Sequence, residues 1–281
     1  MNNTGERQHS ETIDRYAIEH LHRYAFAMQY IQGKDIIDIA SGEGYGANLM
    51  SSVAKSVVGV DISHEAVEFA NTKYKKPNVS YKQGSATQIP LPDSSIDVVV
   101  SFETIEHHDK HDEMMQEIKR ILKPNGILIM STPQKAEDGI IRHPYHVKEL
   151  YFEEFKELLH KYFLHTHFLF QKSNFASIIT TNQNSNFIEY SGDFATISQH
   201  FAITKPMYNM VIAGNGVIPA STNSCFDGAL VWKQMENDYW TIIHENNRLQ
   251  KTLNEIQHSI SFKIGRIVLF PFSLLKKLFR K

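Results

Sequence analysis

Apolar and polar positions change period in blocks along the chain. Residues 13–32 place Tyr16, His20, Arg23, Tyr24 and Met28 at helical spacing, and Gly33 closes the segment as a residue able to take a left-handed conformation. The β-branched run 35–40 predicts a buried strand. It breaks into Ser41-Gly42-Glu43-Gly44-Tyr45-Gly46 and returns to a helical pattern through Leu49 and Val53. Further strands are predicted at 56–61, 79–83, 96–102 and 127–131, with helices at 64–74 and 114–122. Residues 96–102 are almost wholly apolar, as in a strand covered on both faces. Lys123-Pro124-Asn125-Gly126 has the composition of a turn. A helix near 152–162 and strands near 166–171 and 207–213 follow. Strands alternating with helices predict parallel βαβ units and an α/β fold. Residues 173–205 are polar and too long for an ordinary connection, so they are expected to form a substrate lid or an irregular insert in a domain covering 1–234.

The remainder is patterned differently. Tyr239, Ile242, Asn246, Leu249, Leu253, Ile256 and Ile260 recur at spacings of 3, 4, 3, 4, 3 and 4, a heptad seam within a helical segment at 235–260. Asn246 stands at an a position, where a polar residue sets register in parallel dimers, so a homodimer or a partner protein is expected along this seam. Residues 261–281 carry an apolar stripe through Ile264, Ile267, Val268, Leu274, Leu275 and Leu278. From residue 256 onward there are six Lys and Arg and no Asp or Glu. That pattern predicts a basic amphipathic tail lying on a membrane surface.

Composition narrows the function. Lys and Arg number 29 against 31 Asp and Glu, which argues against a globally basic nucleic-acid binder, so no nucleic acid is expected. Cys225 is the single cysteine, so no intrachain disulfide or Cys-rich metal site can form. The polar first eleven residues do not resemble a signal peptide, and no run of 18 uncharged apolar residues occurs. A cytoplasmic protein, peripheral on the inner face of the plasma membrane, is expected.

The glycine-rich turn after the first strand carries the candidate chemistry. Gly42-x-Gly44-x-x-Ala47, with Asp61 19 residues after Gly42, lets backbone approach a ligand and offers a carboxylate to ribose hydroxyls. Two cofactor classes share that pattern. Asp38, four residues before Gly42, separates them: a carboxylate there is unfavourable beside an anionic pyrophosphate and favourable beside the cationic amino group of a methionine moiety.

These residues resemble class I S-adenosylmethionine-dependent methyltransferases. Asp38-Ile-Ala-Ser-Gly-Glu-Gly-Tyr-Gly-Ala47 is similar to the family's first motif and Val58-Val-Gly-Val-Asp61-Ile-Ser to its acidic second-strand segment. The segments 84–97, Ser101-Phe-Glu-Thr-Ile-Glu-His107, Ile121-Leu-Lys-Pro-Asn-Gly126 and Ser131-Thr-Pro133 follow in register. Ser41 stands where many members carry Cys, and Ser85 where many carry an acidic residue. The resemblance implies a Rossmann-like seven-stranded sheet with helices on both faces and an antiparallel last hairpin. It implies S-adenosyl-L-methionine as cofactor. Asp38, Ala40, Gly42 and Gly44, in the loop through Ser41, would hold its methionine end. Asp61 would bind the ribose, Ile62 would pack on adenine, and Ser85 and Ala86 would edge it. Phe102 and Glu103 would lie below the sulfonium. Tyr16, Arg23 or Tyr24 would reach the cofactor carboxylate.

The acceptor side is read from histidines. His107, just after the fourth strand, and His146, shortly after the fifth, fall at the carboxyl edge of the sheet and are the candidate base or acceptor ligands. The run His107-His108-Asp109-Lys110-His111-Asp112 resembles metal ligands, but Lys110 interrupts it and Asp109 or Asp112 suits a helix N-cap, so no metal is expected there. Gln134, Lys135, Arg142 and His143, with the Asn/Gln-rich residues 182–186, predict a polar acceptor. Segments such as Glu19-His-Leu-His-Arg-Tyr24 and His143-Pro-Tyr-His146-Val resemble methyltransferases found with bacterial surface-polysaccharide glycosyltransferases. The expected acceptor is a glycan or its lipid-linked precursor, and the expected seam partner a second copy or a glycosyltransferase. A small lipophilic acceptor such as a quinone, and a non-catalytic scaffold, are the alternatives.

Overall fold

The computed structural model describes residues 15–139, 141, 143–173, 176–181, 187–192 and 197–258. Arg142, residues 182–186, the seam residue Ile260 and the basic tail 261–281 lie outside the described residues. The chain divides into two compact units, Met1–Val231 and Trp232–Lys281.

In the first unit, helix α1 (Arg15–Met28) is followed by β1 (Asp35–Ile39), α2 (Tyr45–Met50), β2 (Ser56–Asp61), α3 (His64–Lys73), β3 (Val79–Gln83) and β4 (Ile96–Phe102). A single 3-10 turn (Ile105–His107) leads to α4 (His111–Ile121), β5 (Leu122–Pro133), α5 (Phe152–Tyr162), β6 (His165–Ser173), β7 (Ser177–Thr181), β8 (Glu189–Gly192), β9 (Ile197–His200), β10 (Tyr208–Gly214) and β11 (Ser224–Phe226). The main sheet runs β11-β7-β6-β10-β5-β4-β1-β2-β3. Strands β3, β2, β1, β4 and β5 are parallel, and β10 enters antiparallel between β5 and β6.

Period-2 alternation explains the layers. Ile36, Val57, Val98, Val100, Ile129 and Ile212 face a core completed by Phe26, Ile31, Met50 and Val67 from α1, α2, α3 and their connections. Ile37, Val60, Val99, Leu128, Met130 and Val211 face the opposite core, filled by Met114, Ile118, Phe155 and Leu159 of α4 and α5. The apolar strands are thus buried from both sides.

Four expectations are corrected. The sheet has nine strands, because β6 continues into a hairpin with β7, and β7 pairs again with β11. His22 of α1 secures this extension through Ser177 Oγ at 2.8 Å and Ser224 Oγ at 3.0 Å. Residues 173–205 are not irregular throughout: they include β7 and the β8–β9 ribbon, whose short polar strands lack an apolar face to announce them. Lys123–Gly126 lies within β5 as a bulge, since pairing with β4 jumps from Ile96↔Leu122 to Val98↔Ile127. Helix α4 starts at His111 with Lys110 at the cap and no side-chain cap bond. Asp112 sits inside the first turn, where Lys161 and Tyr162 donate to it.

Helix α6 (Ala229–His258) runs through the heptad segment. Tyr239, Ile242, Leu249, Leu253 and Ile256 are all exposed on it. Among the described residues no helix is long and apolar enough to cross a membrane.

Candidate active site

The strand order reverses between β1 and β4, so the loops after these two strands leave in opposite directions and open a crevice at their carboxyl ends. Backbone strain concentrates there. Ala40 and Glu103, the residues immediately following the two strands, hold φ at 58° and 53°, and Gly42 and Gly44 hold 54° and 90°. Such conformations cost about 1–3 kcal/mol at a non-glycine residue and persist where the surroundings enforce them. Gly44 is required on a second count: a Cβ would stand 2.6 Å from the Tyr81 ring, whose hydroxyl donates to the Gly44 carbonyl at 2.8 Å.

The loop is tied to β2 through Asp61. Its Oδ2 accepts from the Gly42 amide and its Oδ1 from the Ser63 amide, both at 2.9 Å. Each carboxylate oxygen can accept more than one bond, so capacity remains for ribose hydroxyls. Ile62, next in sequence, is 69% exposed, an unusual placement for isoleucine beside a buried carboxylate. Ser41 is buried, and its Oγ has no hydrogen-bond partner among the described residues. Ser85 Oγ bonds Thr87 Oγ1 at 3.0 Å and accepts from the Thr87 amide at 3.2 Å, shaping the turn that carries half-buried Ala86.

Asp38 is buried, and Tyr24 donates to its carboxyl at 3.3 Å. Burial pushes the Asp38 carboxyl up to about 8, against the Tyr24 bond, with Asp61 adding to the rise. Tyr24 packs edge-on to Phe102 with ring centroids 5.3 Å apart. Glu103 accepts from Ser131 Oγ at 2.6 Å and faces Arg23 at 3.6 Å. Arg23 is buried. It donates to Gln171 Oε1 at 2.9 Å and lies 4.7 Å over the Tyr208 ring. Burial opposes its charge, but Glu103, Tyr208 and Glu19 more than offset this and hold the guanidinium firmly protonated. Tyr16 is exposed at the start of α1. Thus Asp38, Tyr24 and Phe102 come together, Arg23 joins Glu103, and Asp61 meets the glycine loop.

Past Glu103 the chain turns through Glu106 and His107, and residues 143–149 return to them. The amides of Val147 and Lys148 donate to the Glu106 carbonyl at 2.8 and 3.0 Å. His107 Nδ1 donates to the Tyr145 carbonyl at 3.0 Å, and His146 Nδ1 donates to Glu149 Oε1 at 2.6 Å. The rings of His107 and His146 stand edge to face at 5.2 Å, and His143 lies 4.3 Å from His146. Glu106 is fully buried, and burial, with Glu103 nearby, holds its carboxyl well above the usual range. The sequence reading singles out both histidines but misses Glu106 and Glu149. The Glu106-His107 pair was the available signal, and only the fold brings it to His146, 39 residues downstream. The His108–His111 run forms no such group: His111 Nε2 donates to the His108 carbonyl at 2.8 Å.

Residues 37–130 match a family model described as a methyltransferase domain. A probable S-adenosylmethionine-dependent methyltransferase of Mycolicibacterium smegmatis is 37% identical over 131 residues, which cover 45% of this chain and 50% of that protein. A fatty-acid O-methyltransferase of the same organism is 24% identical over 131 residues, 46% of this chain and 47% of that one. The chain spans about half the length of the curated relatives it matches. Among solved structures, the YcgJ protein of Bacillus subtilis aligns with a TM-score of 0.52 at 17% identity, covering 70% of this chain and all of that one; this likeness concerns the fold. Residues 37–130 are thus similar to a methyltransferase domain, relatives over this region are named S-adenosylmethionine-dependent methyltransferases, and the sheet has the Rossmann-like mixed fold of the solved neighbour.

Proposed function

We propose that this chain transfers a methyl group from S-adenosylmethionine to an oxygen of a saccharide acceptor, a bacterial surface glycan or its lipid-linked precursor. The crevice fits the cofactor on its own chemistry. Among the described residues the Ser41 hydroxyl lacks a partner, Gly42 and Gly44 hold the left-handed backbone of the turn, and Ile62 offers an exposed apolar face beside Asp61. Asp38 would meet the ammonium group, Asp61 the ribose hydroxyls, Ile62 the adenine face, Ser85 and Ala86 its edge, and Phe102 and Glu103 the sulfonium. Bound there, S-adenosylmethionine supplies an electrophilic methyl group. The protein's task is alignment and exclusion of water, which can supply about 7–11 kcal/mol when the geometry is near attack.

The observation that carries the acceptor reading is the polar group formed by Glu106, His107 and His146 at the same sheet edge, three residues beyond Glu103. An alcohol must lose its proton during attack, and in this reading His107 and His146 would receive it or hold the acceptor oxygen. Gln134, bonded to Asn209 Nδ2 at 2.6 Å, and His143 extend the polar character. A lipid acceptor is the second reading, favoured by relatives named as a fatty-acid O-methyltransferase and a phthiotriol/phenolphthiotriol dimycocerosates methyltransferase. The test incubates the full chain and methyl-labelled cofactor with lipid-linked saccharides and, separately, with free fatty acids. Label in the saccharide fraction, with a mass gain of one CH2, is the expected result. Label confined to fatty acid overturns the saccharide reading. His146→Ala is expected to lower turnover about 10²-fold or more while leaving cofactor affinity within a few-fold.

We also propose that the α6 seam pairs with a second copy of itself. Its exposed apolar residues and Asn246 at an a position support this. A mass of two chains in analytical ultracentrifugation, reduced to one by Leu249→Glu with Leu253→Glu, is expected; a monomer in the unsubstituted protein overturns it. The basic tail is proposed to hold the protein on an anionic membrane surface.

A further inference from the structure

We propose that Glu106, His107 and His146 form a binding site for a divalent transition-metal cation. Each offers one ligand atom, and the three atoms lie within 4.8 Å of one another. Bonding at about 2.0–2.2 Å would draw the three side chains closer together around the ion.

Three features beyond proximity support a built site. The first is a buried acceptor in need of a partner. Glu106 is 0% exposed, its Oε2 accepts from Thr132 Oγ1 at 3.2 Å, and its Oε1 has no hydrogen-bond partner among the described residues. Buried carboxylate oxygens are rarely left so, and a cation would satisfy this one. The second is imidazole orientation. Nδ1 of His107 is committed to a backbone carbonyl and Nδ1 of His146 to a carboxylate, the two kinds of outer partner that typically orient metal-binding histidines and leave Nε2 as the nitrogen available to an ion. The third is the backbone clamp. Amides 147 and 148 donate to the Glu106 carbonyl, so the segment carrying His146 is fixed against the residue that carries the carboxylate.

Two imidazoles and one carboxylate suit zinc, iron(II), cobalt(II) or manganese(II) better than calcium, which prefers an all-oxygen shell. Three protein ligands leave positions open for water or substrate. The role of the ion rests on the methyltransferase reading, whereas its binding does not. In that role an acceptor hydroxyl replaces a metal-bound water. The metal–water bond breaks, a bond to the acceptor oxygen forms, and the hydroxyl proton passes to solvent because the cation lowers the proton affinity of a bound oxygen. His107 and His146 would then act through the ion rather than as free bases.

The test uses the full chain, stripped of metal by a chelator and titrated with zinc(II) by calorimetry and with cobalt(II) by visible absorption. One equivalent of cobalt with a tetrahedral or five-coordinate d–d spectrum is expected. His146→Ala and the near-isosteric Glu106→Gln should each weaken binding more than about tenfold, and Glu149→Gln, which removes only the outer partner, by about tenfold. His64→Ala, at an exposed histidine of α3, should leave binding unchanged. Circular dichroism melts establish that each variant is folded, and a Glu106→Gln chain that fails to fold leaves the other two variants to decide. No binding by the stripped protein, or binding undiminished in folded His146→Ala and Glu149→Gln chains, overturns the site. Cofactor titration of the same samples is read separately. Metal binding without cofactor binding would retain the site and reject the methyltransferase reading, while the reverse would reject the site alone.

Discussion

A carboxylate buried beside a tyrosine is costly to ionise, and Asp38 shows what that cost is for. With its carboxyl raised to about 8, it is mostly protonated at pH 7 in the free protein. The folded chain therefore binds a proton that the unfolded chain releases above about 4, so Asp38 subtracts stability increasingly as pH rises from about 4 to 8. An ammonium group beside it would draw the carboxyl back to its charged form. Two results are expected. Asp38→Asn should raise the melting temperature by a few degrees at pH 8 and little at pH 4, while weakening S-adenosylmethionine binding at least tenfold. Cofactor titrations at pH 7 in buffers of different ionisation enthalpy should show proton release by the unsubstituted protein and less by the variant. A variant that binds the cofactor as well as the original would remove Asp38 from the site.

At the scale of elements, what the sequence revealed depended on how clearly each element is bounded. Strands β2, β3 and β4 are legible to the residue, because each is bounded by turns or helices and runs parallel to the strand beside it. Helix α5 is equally legible from its apolar spacing. The glycine loop is legible because Gly42 and Gly44 answer a backbone requirement. The extension β7–β11 and the β8–β9 ribbon are not, since Ser177–Thr181, Glu189–Gly192 and Ser224–Phe226 are short, and the one β-branched run among them, in β7, lies inside a stretch that is otherwise polar. Their attachment depends on long-range pairs such as His22 with Ser177 and Ser224, separated by 155 and 202 residues. That pairing has a pH signature. Burial, with Arg23 nearby, lowers His22 to about 4, below its ordinary value of 6.5. The unfolded chain then binds the extra proton between those values, so this contribution is present above about 6.5 and lost as pH falls toward 4. His22→Gln should shrink the difference in melting temperature between pH 7.5 and pH 5. A difference as large as that of the unsubstituted protein would show that His22 does not couple the extension to acid.

Along the whole chain, a region similar to a methyltransferase domain is followed in sequence by a segment patterned differently. Residues 37–130 are legible as a class because glycine geometry, Asp38 and Asp61 are local in sequence. The acceptor side is legible only in part, because His107 and His146 lie 39 residues apart and their carboxylate partners are ordinary in composition. The heptad seam is read directly from spacing, but spacing alone does not choose between a second copy and another partner. Everything proposed about acceptors, metal role and assembly gains its meaning from the cofactor crevice. The most direct measurement is calorimetric titration of the full chain with S-adenosylmethionine, alongside Asp61→Ala. The expected result is saturable binding of one equivalent, weakened at least about tenfold when the carboxylate that accepts from Gly42 and Ser63 is removed. No heat of binding at millimolar cofactor from a folded protein, or equal affinity in a folded Asp61→Ala chain, would contradict it.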